Sequence, residues 1–510
     1  MAEAKAPSAA APAWRSSADV RLTLAIVAIL LLGAALRLHG LDRTSLWNDE
    51  AVSWHQARQP FRGMIQATAN DSVLPLHNIV LYATIRLFGD SEVALRLPSA
   101  ILGIANIYLI YRLGIVLWER LTGVFAAALL ALSGFHLWYS QEARVYSLLA
   151  LAATAFALTT VHFLSRPNWL RASLCAATGV VLLYSHVYGI FVWAGINAGT
   201  AVVLLTGADW IAVDGKMWLA ANSFAGLSFV PWAPMLLGQA RRVVRAFWIP
   251  FPTPRFLYHM SVSIAGGAAM LGCLALLVLL SFLHASAGDK GAGDVPAQPA
   301  TRLPIGLPPF AFELGWQKII LLSWGATPLL LGYAISIASR PLLFDRYLIV
   351  SLPAVLLLAA RGLQVLRFNR LILAGTLVAL LAISIPVVHA KLTKDMREDN
   401  RAALAALGPR FRKSDEVIFL SPGAREPFTY YLRQPVEHET VIEDAATADI
   451  DWPDGRRVWI FVRNAAADQL TKLLERMEVS YRRDEEWHFY GISEYLYVRR
   501  PQPPASGPRL

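Results

Sequence analysis

The chain has 510 residues, 56% of them hydrophobic and 16% charged, with a mean hydropathy of +0.45. Soluble domains carry roughly 25% charged residues, so this composition excludes an ordinary soluble enzyme and points to a polytopic membrane protein. The formal net charge of +10 does not call for nucleic acid, because Lys and Arg in such a protein collect in cytoplasmic loops and at anionic headgroups. Cys175 and Cys273 both lie in apolar runs and offer neither a disulfide framework nor a thiolate metal site.

A helix needs about 20 mostly apolar residues to cross the hydrocarbon. Residues 1–19 read as a cytoplasmic tail, and Val20–Leu38 as an uncleaved first span, since no small-residue cleavage site follows it. Further spans are predicted over 97–117, 122–139, 145–163, 169–189, 190–206, 216–234, 257–284, 316–338, 346–362 and 370–389. Eleven spans put the termini on opposite sides. Pro75–Gly89 is apolar but short and carries Arg86. Laid along the membrane surface, it leaves Arg112, Arg120 and the basic stretches Ser165–Arg171 and Arg361–Arg370 in the cytoplasm, as the positive-inside rule prefers.

The Gly-, Pro- and Ala-rich run Ala287–Pro304 is a cytoplasmic linker on this topology. Four segments then share the outer face: Gly40–Arg96, the turn around Tyr139–Arg144, Gln239–Arg255 and Ser339–Leu348. After Ala390 the composition becomes soluble. Helix-like Arg397–Phe411 and Ala466–Glu478 alternate with strand-like Asp415–Ser421, Arg456–Asn464 and Gly491–Arg500, which predicts a small α/β domain over 391–500, outside the membrane, and a disordered tail over 501–510.

Chemistry concentrates on the outer segments. In "WNDEAVSW", Asp49 and Glu50 sit between Trp47 and Trp54. A carboxylate at a membrane interface accepts a proton from a nucleophile or holds a divalent metal, provided its neighbours exclude water; the alternative is a solvated loop anchored by indoles. In "YSQEARVY", Glu142 and Arg144 flank the second outer turn with Tyr139 and Tyr146. Ionisable groups at a span end are functional or paired. Arg96, Arg241, Arg242, Arg245 and Arg346 also fall outside. Outward arginines oppose the inside bias and suit phosphate oxygens, with snorkelling toward headgroups as the alternative. His186, beside Tyr184 and Tyr188, completes a nitrogen and oxygen metal set if it lies near Glu50 or Glu142. His55 and His77 are weaker candidates. The sequence holds no P-loop or GxGxxG motif, so nucleotide-driven chemistry is not indicated.

The motifs "WNDEA", "DSVLPLH", "FGDSEVALRLPSA", "WYSQEARVYSLL", "YSHVYG", "FVPWAP" and "DRYL", in this order, resemble glycosyltransferase family 39 and its relatives of the GT-C superfamily, the protein O-mannosyltransferases and lipid A aminoarabinose transferases among them. The resemblance covers Val20 to Ala390. It implies a GT-C fold of about eleven transmembrane helices, with the sugar donor carried on a polyisoprenyl phosphate. The acceptor would be a lipid, glycan or protein at the outer face of the inner membrane. Asp49 then takes the place of the general base and Glu50 its partner. Arg346 resembles the phosphate-contacting arginine, and Trp248–Pro254 the loop that closes over the lipid phosphate. The sequence departs from many relatives at Val73–Leu74, where they carry a charged residue or His. A multi-pass transporter or lipid flippase is the competing reading.

Overall fold

The computed structural model describes residues 17–206, 214–242, 249–285, 310–394, 397–434, 436–442, 457–463 and 467–500. In chain order, the long helix α1 (Ser17–Leu38) precedes three short helices, α2 (Asn48–Ala57), α3 (Phe61–Asn70) and α4 (Pro75–Phe88). Next come α5 (Glu92–Leu117), the broken pair α6 (Arg120–Ala131) and α7 (Gly134–Ser140), then α8 (Tyr146–Ser165), α9 (Trp169–Ser185) and α10 (Val187–Leu205). The central part continues with α11 (Gly215–Phe229), α12 (Ala233–Arg242), α13 (Pro254–Ala265) and α14 (Ala268–Leu280), and a short antiparallel pair, β1 (Leu283–Ala285) with β2 (Phe310–Phe312). After α15 (Trp316–Ala338), α16 (Leu352–Val365) and α17 (Arg370–Thr393), the chain forms α18 (Asn400–Leu407), β3 (Glu416–Leu420), α19 (Arg425–Leu432), β4 (His438–Ile442), β5 (Val458–Arg463), α20 (Ala467–Glu478), β6 (Tyr481–Phe489) and β7 (Ile492–Arg499).

Six of these helices, α1, α5, α8, α10, α15 and α17, are long and apolar enough to cross a membrane, and the bent pairs α6–α7 and α13–α14 bring the number to eight. Eleven uninterrupted spans were expected, and the difference is local chemistry. Pro231 stands in the 3₁₀ turn that follows α11 at Phe229. Residues 345–350 form a 3₁₀ turn, which shortens the expected 346–362 span to α16. Gly266 and Gly267, at φ 91° and 134°, adopt backbone that other residues resist, and there the chain bends by 84°. At the 65° bend between α6 and α7 the buried Arg37 guanidinium donates to the carbonyls of Leu130 (3.1 Å) and Ala131 (3.2 Å), at the end of α6 where the last carbonyls run out of i+4 partners.

Compactness divides the chain into two units, and neither is continuous in sequence: Met1–Arg37 with Ala100–Ser140 and Val145–Lys391, and Leu38–Ser99 with Gln141–Arg144 and Leu392–Leu510. The first is the helical bundle. Its close approaches depend on small residues: a Cβ on Gly195 would lie 2.7 Å from the Ser323 carbonyl oxygen, and one on Gly199 2.9 Å from the Ser323 Cβ, so α10 and α15 pack backbone to backbone.

The second unit holds a five-stranded mixed sheet in the order β4-β3-β5-β7-β6, with β3 parallel to β4 and β5, and β7 antiparallel to β5 and β6. One face buries Ile418, Ile460 and Tyr495 with Leu473 and Met477 of α20, and the other buries Phe419, Phe461 and Leu496 with Leu404 and Phe428 from α18 and α19. In the same unit Trp54 of α2 packs edge-on against Tyr430 of α19 at 5.0 Å, and its indole N–H donates to Asp90 (2.9 Å). The expected helix over Arg397–Phe411 begins later, at Asn400, where the Asp399 carboxylate caps the Ala402 N–H at 3.1 Å.

Candidate functional site

In the second unit α2 starts at Asn48, after Trp47 in extended backbone, so Asp49 and Glu50 occupy its first turn, where the helix dipole favours negative charge. The two neighbours point into different surroundings. Glu50 is fully buried. Its Oε1 accepts from Arg96 Nε at 2.8 Å and from the Ala143 N–H at 2.8 Å, and its Oε2 accepts from Arg96 Nη2 at 2.6 Å. Burial would raise its carboxyl, but Arg96, Arg397 and the Ala143 N–H outweigh that and hold it below the usual carboxylate range. Asp49 keeps 22% of its side chain exposed, and Arg144 Nη2 approaches its Oδ2 at 3.8 Å.

Arg96 is 1% exposed and has no donor left for a ligand. Nε and one N–H of Nη2 go to Glu50, the other N–H of Nη2 goes to the Ser45 carbonyl (3.0 Å), and Nη1 donates to the carbonyls of Leu41 (2.8 Å) and Thr44 (2.7 Å). All five N–H groups are taken, so the expectation that Arg96 binds the donor phosphate gives way to a bracing role. Arg144 is half turned toward Asp49: Nη1 donates to the Asp49 carbonyl (3.1 Å) and the Ser53 hydroxyl (2.8 Å).

Two further side chains support the turn Gln141–Arg144: His77, a weaker candidate for a metal set, and Arg397, which the sequence did not single out. His77 Nε2 lies 3.0 Å from the Ala143 carbonyl and donates to it. Burial, then the Arg144 charge, push its imidazole down to about 3, so it is neutral at any physiological pH. Arg397 places Nη2 3.1 Å from Glu142 Oε1 and Nη1 3.6 Å from Glu50 Oε2. The order of "RED" after the last span carried a weak signal for this, a charged cluster at a span end.

A second group forms within the first unit. The Arg346 guanidinium carbon lies 5.2 Å from the Phe344 ring centre and 5.8 Å from those of Tyr146 and Tyr347, within cation–π range. Tyr139 meets Tyr146 edge-on at 4.9 Å and lines a cavity of about 230 Å³ with Trp138, Ser263, Asp345 and Lys391. The His186 Nδ1 accepts from the Tyr188 N–H at 3.2 Å and caps α10, and its ring lies 4.9 Å from that of Tyr347. Arg241 and Arg242 end α12, whereas Arg245 and Trp248 lie outside the described residues.

The expected metal set of Glu50, Glu142 and His186 is not supported. Both carboxylates face guanidinium groups, and the imidazole nitrogen serves as a helix cap. Among the described residues no group of three or more His, Cys, Asp or Glu side chains could hold a metal ion.

Residues 72–234 match the family described as dolichyl-phosphate-mannose-protein mannosyltransferase. No curated protein matches the chain by sequence. Among solved structures, ArnT from Cupriavidus metallidurans in the apo state is similar with a TM-score of 0.61 at 12% identity, over 94% of this chain and 98% of that one. The same protein bound to undecaprenyl phosphate gives 0.59 at 12%, over the same shares, 94% and 98%. The Archaeoglobus fulgidus oligosaccharyltransferase, tethered to an acceptor peptide containing the NVT sequon, gives 0.51 at 11%, over 94% of this chain and 74% of that one. The resemblance to GT-C glycosyltransferases read in the motifs thus recurs in a family profile and in the fold.

Proposed function

We propose that this chain, sharing its fold and a family profile with GT-C membrane glycosyltransferases, is an inverting glycosyltransferase. It would move a sugar from a polyisoprenyl phosphate to a hydroxyl or amine of a lipid, glycan or protein at the outer face of the inner membrane. In this reading Asp49 takes the proton of the acceptor as its oxygen or nitrogen attacks the anomeric carbon. The bond from that carbon to the phosphate oxygen breaks, and the polyisoprenyl phosphate leaves with the electron pair. Direct displacement inverts the anomeric centre. Arg346 and Arg144 are assigned to the developing phosphate charge, whose stabilisation in a water-poor site lowers the barrier. Arg241, Arg242 and Arg245 are assigned to membrane headgroups or to the carrier phosphate. ArnT binding undecaprenyl phosphate, by its description, supports a lipid-linked donor.

The observation that carries the reading is the split between two adjacent acids: Glu50 is wholly engaged by Arg96 and Ala143, while Asp49 keeps an accessible face beside Arg144. We place the eleven crossings by adding the shorter helices α9, α11 and α16 to the eight longer ones, with the N-terminus cytoplasmic.

The test is sugar transfer by purified protein from a labelled polyprenyl-phosphate donor. Asp49→Asn is expected to lower kcat at least about 100-fold, the range that general-base removal costs, with donor binding and thermal stability retained. Transfer within about tenfold of wild type would refute the assignment. Uphill solute movement in proteoliposomes without any transfer would favour a transporter instead.

A further inference from the structure

The segment Arg397–Asn400 is fastened on two sides, with Glu398 held on both. Glu398 pairs with Arg463 at the end of β5 (2.7 Å), and the Asp399 N–H donates to the Tyr490 carbonyl (2.9 Å) in the turn between β6 and β7. On the other side the Ser45 hydroxyl donates to the Glu398 carbonyl, and Asn400 donates through its N–H to Ser45 Oγ (3.1 Å) and through Nδ2 to the Leu46 carbonyl (3.1 Å). The segment is therefore clamped between the sheet and the residues that lead into α2.

From that clamp Arg397, 6% exposed, reaches into the acid network. Besides Glu142 and Glu50, its Nη1 meets Thr44 Oγ1 at 3.4 Å and the Gln141 carbonyl at 3.5 Å. The turn it touches is held at three consecutive residues: Glu142 by Arg397 (3.1 Å), Ala143 by Glu50 (2.8 Å), and Arg144 by the Asp49 carbonyl and Ser53. A planar guanidinium spans two carboxylates at once, which an ammonium cannot do with the same geometry.

We propose that Arg397 is a positioning residue for the transfer reaction, through which the C-terminal sheet sets the geometry of the Gln141–Arg144 turn and so of Arg144 against Asp49. The proposal rests on the glycosyltransferase reading. It makes the C-terminal part of the chain a structural component of the active site and not a detachable acceptor-binding appendage. Arg397 touches no reacting atom. Its effect passes through Glu142 and Arg144.

The test uses the full chain, purified, with donor KM, kcat and melting temperature measured for Asp49→Asn, Arg397→Ala, Arg397→Lys and the double variant Arg397→Ala with Glu142→Gln. Arg397→Ala is expected to lower kcat per folded molecule about 10- to 100-fold, as misplacement near 1 Å does, with donor KM within about twofold of wild type. The double variant removes one charge of each sign, so it recovers melting temperature but not kcat. Recovery of both would mean that Arg397 serves stability alone, and would overturn the proposal. So would wild-type turnover by Arg397→Ala while Asp49→Asn is inactive. An active Asp49→Asn instead overturns the underlying reading. Should Arg397→Ala fail to fold, Arg397→Lys decides. A kcat reduced about fivefold or more at unchanged KM supports positioning, and wild-type kcat rejects it.

Discussion

Glu50 holds a negative charge in a place with no access to water, and its stability consequences follow from that. Two arginines, Arg96 and Arg397, are its counter-charges. Replacing it with Gln leaves both guanidinium groups buried with one anion fewer, which costs about 3–5 kcal/mol when a buried pair is broken. Glu50→Gln is therefore expected to lower the unfolding temperature markedly in detergent, whereas Asp49→Asn, at a partly exposed site, leaves it nearly unchanged; equal effects would contradict the division of roles. The sign with pH is also set. The Glu50 carboxyl is held below its ordinary range in the folded chain, so its contribution is fully present above the unfolded pKa. It is lost as pH falls through the folded one, and Glu50→Gln should flatten that part of the acid transition.

Among the elements, α10 begins at a motif read for its chemistry, whose imidazole caps the helix in the fold. "YSHVYG" places His186 between two helices, in extended backbone at φ −160°, with its ring nitrogen over the first turn of α10. Asn, a strong N-cap residue, would serve the same N–H, while Ala would leave it bare. His186→Ala is expected to destabilise the protein by about 0.5–2 kcal/mol, and His186→Asn by clearly less. Thermal melts of the two variants decide the point, and identical losses would mean that the imidazole's value lies in its packing on Tyr347 instead. The breaks elsewhere have the same local origin, from the glycines between α13 and α14 to Pro231 after α11.

For the chain as a whole, the second unit carries a pH response of its own. Glu494, on β7 opposite Phe461 of β5 and Trp487 of β6, is completely buried, and no hydrogen bond to either carboxyl oxygen is found among the described residues. Burial pushes its carboxyl up to about 8. Between the ordinary value of 4.5 and about 8 the folded chain keeps a proton that the unfolded chain has lost, so folding stability declines as pH rises across that window. Glu494→Gln is expected to remove this decline, measured as melting temperature against pH from 5 to about 8.5. A slope identical to wild type would show that the carboxyl finds a partner in solution. Glu50 and Glu494 thus act in opposite directions, one adding stability as pH rises out of the acid range and the other removing it between 4.5 and about 8.

Hydropathy is a property of short windows, so α1, α5, α8, α10, α15 and α17 could be read from residue order alone, as could the strands β3, β5 and β7. The partner strands β4 and β6, with their mostly exposed or half-buried residues, lacked such a signal. Asp49 and Glu50 were recognisable as a pair, yet nothing in "WNDEA" says which of them is sequestered. That depends on Arg96, 46 residues away, and on the Ala143 N–H, 93 residues away. Counting outward arginines made Arg96 a phosphate ligand, because the carbonyls of Leu41, Thr44 and Ser45 that consume its donors carry no residue-type signature. Arg397 was missed for the same reason, its partner Glu142 lying 255 positions earlier. Spans, caps and breaks arise from nearest-neighbour sterics and solvation, which the order of residues expresses directly; the pairing of buried charges arises from chain closure over long separations, which it does not.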